Sequence, residues 1–470
     1  MNITGIIMKQ TKSKNELLFD KKESYWKSMS TNEIKKVFTF ADEYKSFLDT
    51  SKTERLCVEN VVKILKKNNF KELSSVKTLK QGDKIYKLFK EKVVIASIIG
   101  KENDCWNLIG SHTDSPRLDL KPNPLYEHSE LGLLKSHYYG GIKKYQWVNT
   151  PLSLHGIIYT KENKKIEIHL GERDGEPKFL ISDLLPHLAK DQMEKKASLV
   201  VSGEELNILF GNMPLQDKNV KEKIKLNILT MLAKHYKMSE QDFNFAEFEF
   251  VPSGKAIDIG LDASMIGSYG QDDKVCVYTS MKALLDAKKF NKTAVAFFVD
   301  KEEIGSTGNT GAQSYALLNF AQEYIQKTGL KIETGKLFEN SKAISADVTA
   351  AFNPTYPEVS DPQNSSYLGK GVSVERYGGS GGKYSTNDAN AEFMGHIRSI
   401  LVKNKLPYQT GELGKIDVGG GGTIAMFMSK YGMDCVDVGP CVLGMHSPYE
   451  VTSKADVYSA YLLYKAFFEE

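Results

Sequence analysis

Two consecutive carboxylates, Glu302 and Glu303, lie in the segment AVAFFVDKEEIGSTG, just after an apolar, strand-like run at Thr293–Val299. With Asp300 they place three acidic groups at one strand end. Like charges that close need a cation, a proton or solvent between them. The chain holds the other groups a cation site takes: His112 and Asp114 in GSHTDSP, Asp272 and Asp273 in YGQDDKV, Asp347 in ISADVTA, and His446 in GMHSPYE. Zinc accepts His nitrogens and carboxylate oxygens, and a catalytic zinc keeps one position open for water. Two such ions about 3.5–4 Å apart clamp attacking and leaving oxygens together. That arrangement needs one bridging carboxylate and another free to act as base. A dinuclear metal centre is the simplest chemistry that uses the whole set.

Each residue alone has a plainer reading. His112 could be a hydrogen-bonded core histidine, the Glu pair an exposed acidic turn, and Asp347 a helix cap. Their placement argues for the joint reading. Apolar runs at Cys105–Ile109, Thr293–Val299, Ala343–Ala346 and Asp434–Val438 each precede a candidate ligand. In open α/β sheets, sites form beyond the carboxyl ends of strands.

The elements that must position these groups follow from periodicity. Residues 33–70 carry helix-spaced apolar positions, and Val93–Ile99 reads as a strand. Residues 115–260 differ in character, being rich in Pro, Gly, aromatic residues and alternating strands such as LSLHGIIYT. After Ala263 the α/β rhythm resumes, with a helix opening at Asp273. The expected fold class is α/β: a three-layer catalytic domain with a mixed sheet, interrupted by an inserted β-rich second domain. The expected boundaries are 1–116 and 261–470 for the first domain and 117–260 for the second.

Bulk properties exclude several classes. The 470 residues are 41% hydrophobic, ample for large cores, and the formal net charge of +3 gives no electrostatic case for nucleic acid. Five cysteines, an odd count without CxxC spacing, point to a reduced, cytoplasmic setting. The start, MNITGIIMKQTKSK, lacks the pattern of a signal peptide. Nowhere do about 18 apolar residues run together, so no membrane partner is expected. The patch YGGSGGKYST fails phosphate-loop spacing, with Tyr377 where the first Gly belongs and Tyr384 after Lys383. It reads as a mobile loop near substrate.

The strings GSHTDSPRLDLKP, GQDDKVC, DKEEIGS, SADV and MHSPYE stand in the order used by the aspartyl aminopeptidase family of dinuclear zinc exopeptidases. From about residue 80 to the C-terminus the chain resembles a bacterial-type member. The resemblance implies His112 and Asp347 as ligands of one metal and Glu303 and His446 as ligands of the other. Asp273 would bridge them, chosen over Asp272 because it aligns with the Asp of the family's Arg-Leu-Asp-Asn motif. Asp272 is accordingly left outside the ligand set. Glu302 resembles the general base, and Asp114 the carboxylate that orients His112. His187, in LLPHLAKDQ, matches a residue that reaches a neighbouring subunit's active site.

The implied activity is metal-dependent hydrolysis of the N-terminal residue from peptides with a free N-terminus. The implied assembly is a homo-oligomer, dimers within a tetrahedral dodecamer. The cofactors are two divalent ions, Zn²⁺ first, with Co²⁺ or Mn²⁺ also compatible. Family members preferring acidic residues carry a Lys where this chain has Ser373, in GKGVSVERYGGSGGK. Lys370 and Lys383 are the nearby cations, so acidic and neutral preferences both stay open. The alternatives are a deacylase or carboxypeptidase of the same fold, or a catalytically silent scaffold.

Overall fold

The computed structural model describes residues 23–216 and 219–470; the sequence reading of the first residues lies outside them. The helical pattern at 33–70 resolves into two helices, α1 (Thr31–Thr50) and α2 (Glu54–Lys67). Ser30 and Glu33 close a reciprocal cap on α1, and Thr53 caps α2, so the break falls at Ser51–Thr53. A third helix, α3 (Gln271–Asp286), follows the Gln-Asp-Asp motif, and α4 (Lys454–Phe468) closes the chain.

A nine-stranded mixed sheet forms the centre. Its middle strands are β1 (Val93–Ile98), β2 (Glu102–His112), β3 (Lys292–Val299), β4 (Lys342–Ser345) and β5 (Asp434–Gly439). In space they run β1-β3-β2-β4-β5, with β2 to β5 mutually parallel and β1 antiparallel to β3. Their near-continuous apolar sequences reflect burial on both faces. Val94, Ala96 and Ile98 of β1 pack in a core with all four labelled helices, whereas Val93 and Ile95 join a core with helix Ala316–Thr328. The result is three layers, helices over each face of a sheet.

A second, six-stranded antiparallel sheet is built from strands between Arg117 and Pro252. It packs a separate apolar core around Trp147, Phe248 and Phe250. A five-stranded sheet brings Met265–Ser268 beside Glu450–Ser453, which brackets the Asp272 and His446 turns. Among the described residues no helix is long and apolar enough to cross a membrane.

Candidate metal centre

Strand register sets the first contacts. His112, the last residue of β2, stands opposite Val299 of β3, and the Ala346 N–H donates to Gly110 at 2.7 Å. The carboxyl ends of three neighbouring strands therefore deliver His112, the Glu302–Glu303 pair and Asp347 to one place. Glu302 and Glu303 sit on a short 3-10 turn entered through Lys301 at φ 67°. His446 adopts φ 65°, and its N–H donates to the buried Glu450 carboxylate at 2.8 Å.

The side chains form two clusters. His112 Nε2 lies 3.0 Å from Asp272 Oδ1 and 3.7 Å from Asp347 Oδ1. His446 Nε2 lies 3.2 Å from Asp272 Oδ2 and 3.3 Å from Glu303 Oε2. Within each trio the ligand atoms lie within 4.8 Å of one another, and Asp272 belongs to both.

The shared position thus falls to Asp272, not to the expected Asp273. Asp272 has φ −77° and ψ 105°, outside the helical region. Asp273 instead lies fully buried behind the site and accepts the His112 N–H at 3.3 Å. The expected helix start holds in part: regular helical backbone begins only after Asp273.

Asp114 is fully buried beside His112, with Oδ1 3.3 Å from His112 Nδ1. It also accepts the N–H groups of Glu302 at 3.1 Å and Glu303 at 3.2 Å. Asp300 does bracing work, accepting from Thr310 at 2.6 Å and its own neighbour Lys301 at 2.8 Å. Two contacts escaped sequence reasoning. The Tyr139 hydroxyl donates to Asp114 Oδ2 at 2.8 Å, and the Gly141 carbonyl faces His446 Nδ1 at 2.8 Å.

Among protein groups alone, the electrostatics are lopsided. Burial pushes Glu302 up to about 8, with Asp347, Asp114 and Asp272 adding to the rise against His112. Burial likewise drives Glu303 and Asp273 well above the carboxylate range, reinforced by Asp272 and Asp347 respectively. Asp272 is held low because His112 and His446 outweigh its burial. Burial opposes protonation of His446, yet Asp272 and Glu303 raise it to about 10. Six carboxylates around two imidazoles call for added positive charge.

The fit to a cation is good. His112 Nε2, Asp272 Oδ1 and Glu303 Oε1 are buried without an aligned hydrogen-bond partner, although the first two are only 3.0 Å apart. Atoms that converge without hydrogen-bonding suit a shared metal ion. A third acidic trio, Glu54, Glu247 and Glu249, makes no such demand, because Lys92 and Arg117 already lie among its carboxylates.

Other expected residues stand apart. His187 is exposed on the turn Pro186–Leu188 and joins neither cluster within the chain. The glycine patch pairs Gly379–Ser380 with Gly420–Gly421, and Tyr377 reaches Glu412 at 3.1 Å. Ser373 is buried against Ser366 at 2.7 Å. Lys383 is held by Asp388 at 2.9 Å, and Lys370 lies 4.5 Å over the Tyr367 ring.

Comparison with known proteins places these features in context. The sequence profile of the Aminopeptidase I zinc metalloprotease (M18) family matches residues 47–468. A probable M18 family aminopeptidase 1 of Clostridium acetobutylicum is 46% identical over 461 residues, covering 96% of this chain and 99% of that protein. The Borreliella afzelii counterpart is 47% identical over 458 residues, covering 96% and 100%. The crystal structure of a Thermotoga maritima M18 family aminopeptidase superposes with a TM-score of 0.93 at 41% identity, covering 96% of this chain and 100% of that one.

Proposed function

The chain belongs to the M18 family of zinc metalloproteases and is a metal-dependent aminopeptidase, and we propose that it works through two ions sharing Asp272. His112 and Asp347 hold one ion, Glu303 and His446 the other. The observation that carries this reading is the pair of trios with one carboxylate in common. Bound between these residues, zinc would supply Lewis-acid polarisation of a scissile carbonyl and would lower the pKa of water from 15.7 to about 7.

The protein groups do the rest. Glu302, on the turn beside both trios, takes the proton of the attacking water and returns it to the leaving amine. Asp114 keeps His112 oriented and, by accepting two backbone N–H groups, fixes the turn that presents Glu302 and Glu303. A free α-amino group finds compensating negative charge at this carboxylate-rich wall, which restricts cleavage to the first residue.

Residues 117–260 serve as a dimerisation and lid domain inserted into a catalytic domain of 1–116 and 261–470. Support comes from the separate sheet and core, and from Leu184, Leu185 and Leu188, which are 53%, 49% and 70% exposed around His187. A second copy of the chain would cover them and bring His187 to the neighbouring site. Light scattering showing only monomer at assay concentration would remove this part. The cytoplasmic placement rests on five free, buried cysteines and is checked by cell fractionation.

Substrate preference is proposed as neutral or broad, because Ser373 is buried and Lys370 and Lys383 are engaged elsewhere. Asp and Glu amides turned over far faster than Leu or Ala amides would overturn it. The central test uses peptides with free or acetylated N-termini, with zinc content measured in parallel. Glu302→Gln is expected to keep its zinc while kcat falls by about 10²–10⁴. Equal cleavage of acetylated peptides would favour a deacylase-like or endoproteolytic site, and wild-type kcat in the variant would remove Glu302 from the chemistry.

A further inference from the structure

Three consecutive residues where a strand of the six-stranded sheet ends touch both halves of the centre. Tyr139, the last residue of strand Leu131–Tyr139, is buried and donates its hydroxyl to Asp114 Oδ2 at 2.8 Å. That bond joins two backbone N–H bonds on the same carboxylate. Oδ1 accepts the Glu302 N–H and lies 3.3 Å from His112 Nδ1, which also faces the Asp114 backbone carbonyl at 3.1 Å, while Oδ2 accepts from the Glu303 N–H and Tyr139. Two residues later, the Gly141 carbonyl lies 2.8 Å from His446 Nδ1. Gly140 between them has φ 75°, and a Cβ there would stand 3.4 Å from both Cβ and Oε2 of Glu303.

The chemistry of these partners is one-sided. A carbonyl or carboxylate oxygen facing Nδ1 requires the hydrogen on that nitrogen, which leaves the Nε2 lone pair directed at Asp272. Both histidines are set this way, one through Asp114 and one by Gly141. Tyr139 is itself pinned: the Arg117 guanidinium lies 3.9 Å from its ring centroid. Arg117 is tied to Asp119 at 2.8 Å and to Glu54 of α2 at 3.2 Å, so the ring is braced from its own sheet and from α2.

Resting on the two-ion reading above, we infer that the turn Tyr139–Gly141 is a positioning element through which docking of the six-stranded sheet sets the zinc affinity of both ions. Tyr139 is a positioning residue that acts through Asp114, and the Gly141 carbonyl acts directly on His446. Neither touches an ion.

Tyr139→Phe keeps the ring beneath Arg117 and removes only the donor. Zinc binding is read by competition with a chromophoric chelator, and thermal unfolding of the metal-free protein is followed separately. The variant is expected to lose about tenfold or more in affinity for one ion, with the other nearly unchanged. Its metal-free unfolding midpoint should stay close to that of the wild type. Gly140→Ala, which strains a left-handed backbone position beside Glu303, is expected to weaken the other ion. Wild-type zinc affinity in Tyr139→Phe, or a lowered metal-free midpoint without an affinity change, overturns the inference. A wild-type protein that binds no zinc removes the two-ion reading and this one together. A wild type that binds two ions beside an unaffected Tyr139→Phe removes this one alone.

Discussion

Neutralising Asp272 should empty both metal positions at once, whereas neutralising its neighbour should empty neither. Asp272 places one oxygen 3.0 Å from His112 Nε2 and the other 3.2 Å from His446 Nε2. Because each trio's ligand atoms lie within 4.8 Å of one another, an ion among them sits within about 4 Å of the shared carboxylate. At that range, with an effective dielectric near 20, removing one unit charge from beside a divalent ion forfeits on the order of 8 kcal/mol of direct attraction, and even half of that is roughly a thousandfold in affinity. At free zinc about a hundred times the wild-type Kd, occupancy of each position then falls from about 99% to about 10%. Asp272→Asn should therefore bind about 0.2 ions per chain where the wild type binds about two, and Glu303→Gln about one. Asp273→Asn keeps an oxygen for the His112 N–H and should retain both ions. The assay is equilibrium dialysis at fixed free zinc with metal quantified by emission spectroscopy. Two ions retained by Asp272→Asn, with loss in Asp273→Asn, would show that the shared carboxylate had been assigned to the wrong residue.

Two further outcomes concern stability away from the centre. Lys92→Met leaves the fully buried Glu54 without its 2.8 Å partner, and should cost about 3 kcal/mol; a shift below about 1 kcal/mol in urea denaturation would show that Arg117 alone suffices. Asp456 accepts the N–H groups of Gly369 and Gly371 at 2.7 Å, yet burial outweighs them and raises its carboxyl to about 7. The folded chain thus binds this proton more tightly than the unfolded chain, where the group titrates near 3.9. Its contribution is fully present below that value and is lost as pH rises toward about 7, at up to about 1.4 kcal/mol per pH unit. Asp456→Asn should flatten the stability profile between pH 5 and about 7, measured by urea midpoints in matched buffers. An unchanged slope would place the titration in another group.

The strand ends were readable because their sequence signal is strong. A strand buried on both faces is apolar at every position, so Thr293–Val299 was expected and Lys292–Val299 found. Polar residues cluster just beyond the ends of such runs, which is why His112, Glu302, Glu303 and Asp347 stand out as candidates in the sequence. The glycine patch carried no comparable signal. Composition marks it as loop, but its partners, Gly420–Gly421 and Glu412, are settled by tertiary packing.

The choice between Asp272 and Asp273 shows where sequence reading runs out. Adjacent acids of identical type differ only in which way the local backbone turns them, and here Asp272 faces the two histidines while Asp273 accepts the His112 N–H from behind. A family motif supplies an order of residues, not a direction in space. The Tyr139–Gly141 turn is harder still. Gly141 contributes a backbone carbonyl, which every residue possesses, to a histidine 305 positions away. Tyr139 acts through a carboxylate that is itself one step from the ions. Groups that touch a metal must be His, Cys, Asp or Glu and so stand out in a sequence. Groups that orient those ligands need only a donor or an acceptor, so almost any residue can fill the role. A sequence can therefore reveal the ligands of such a centre while saying nothing of the turn that aims them.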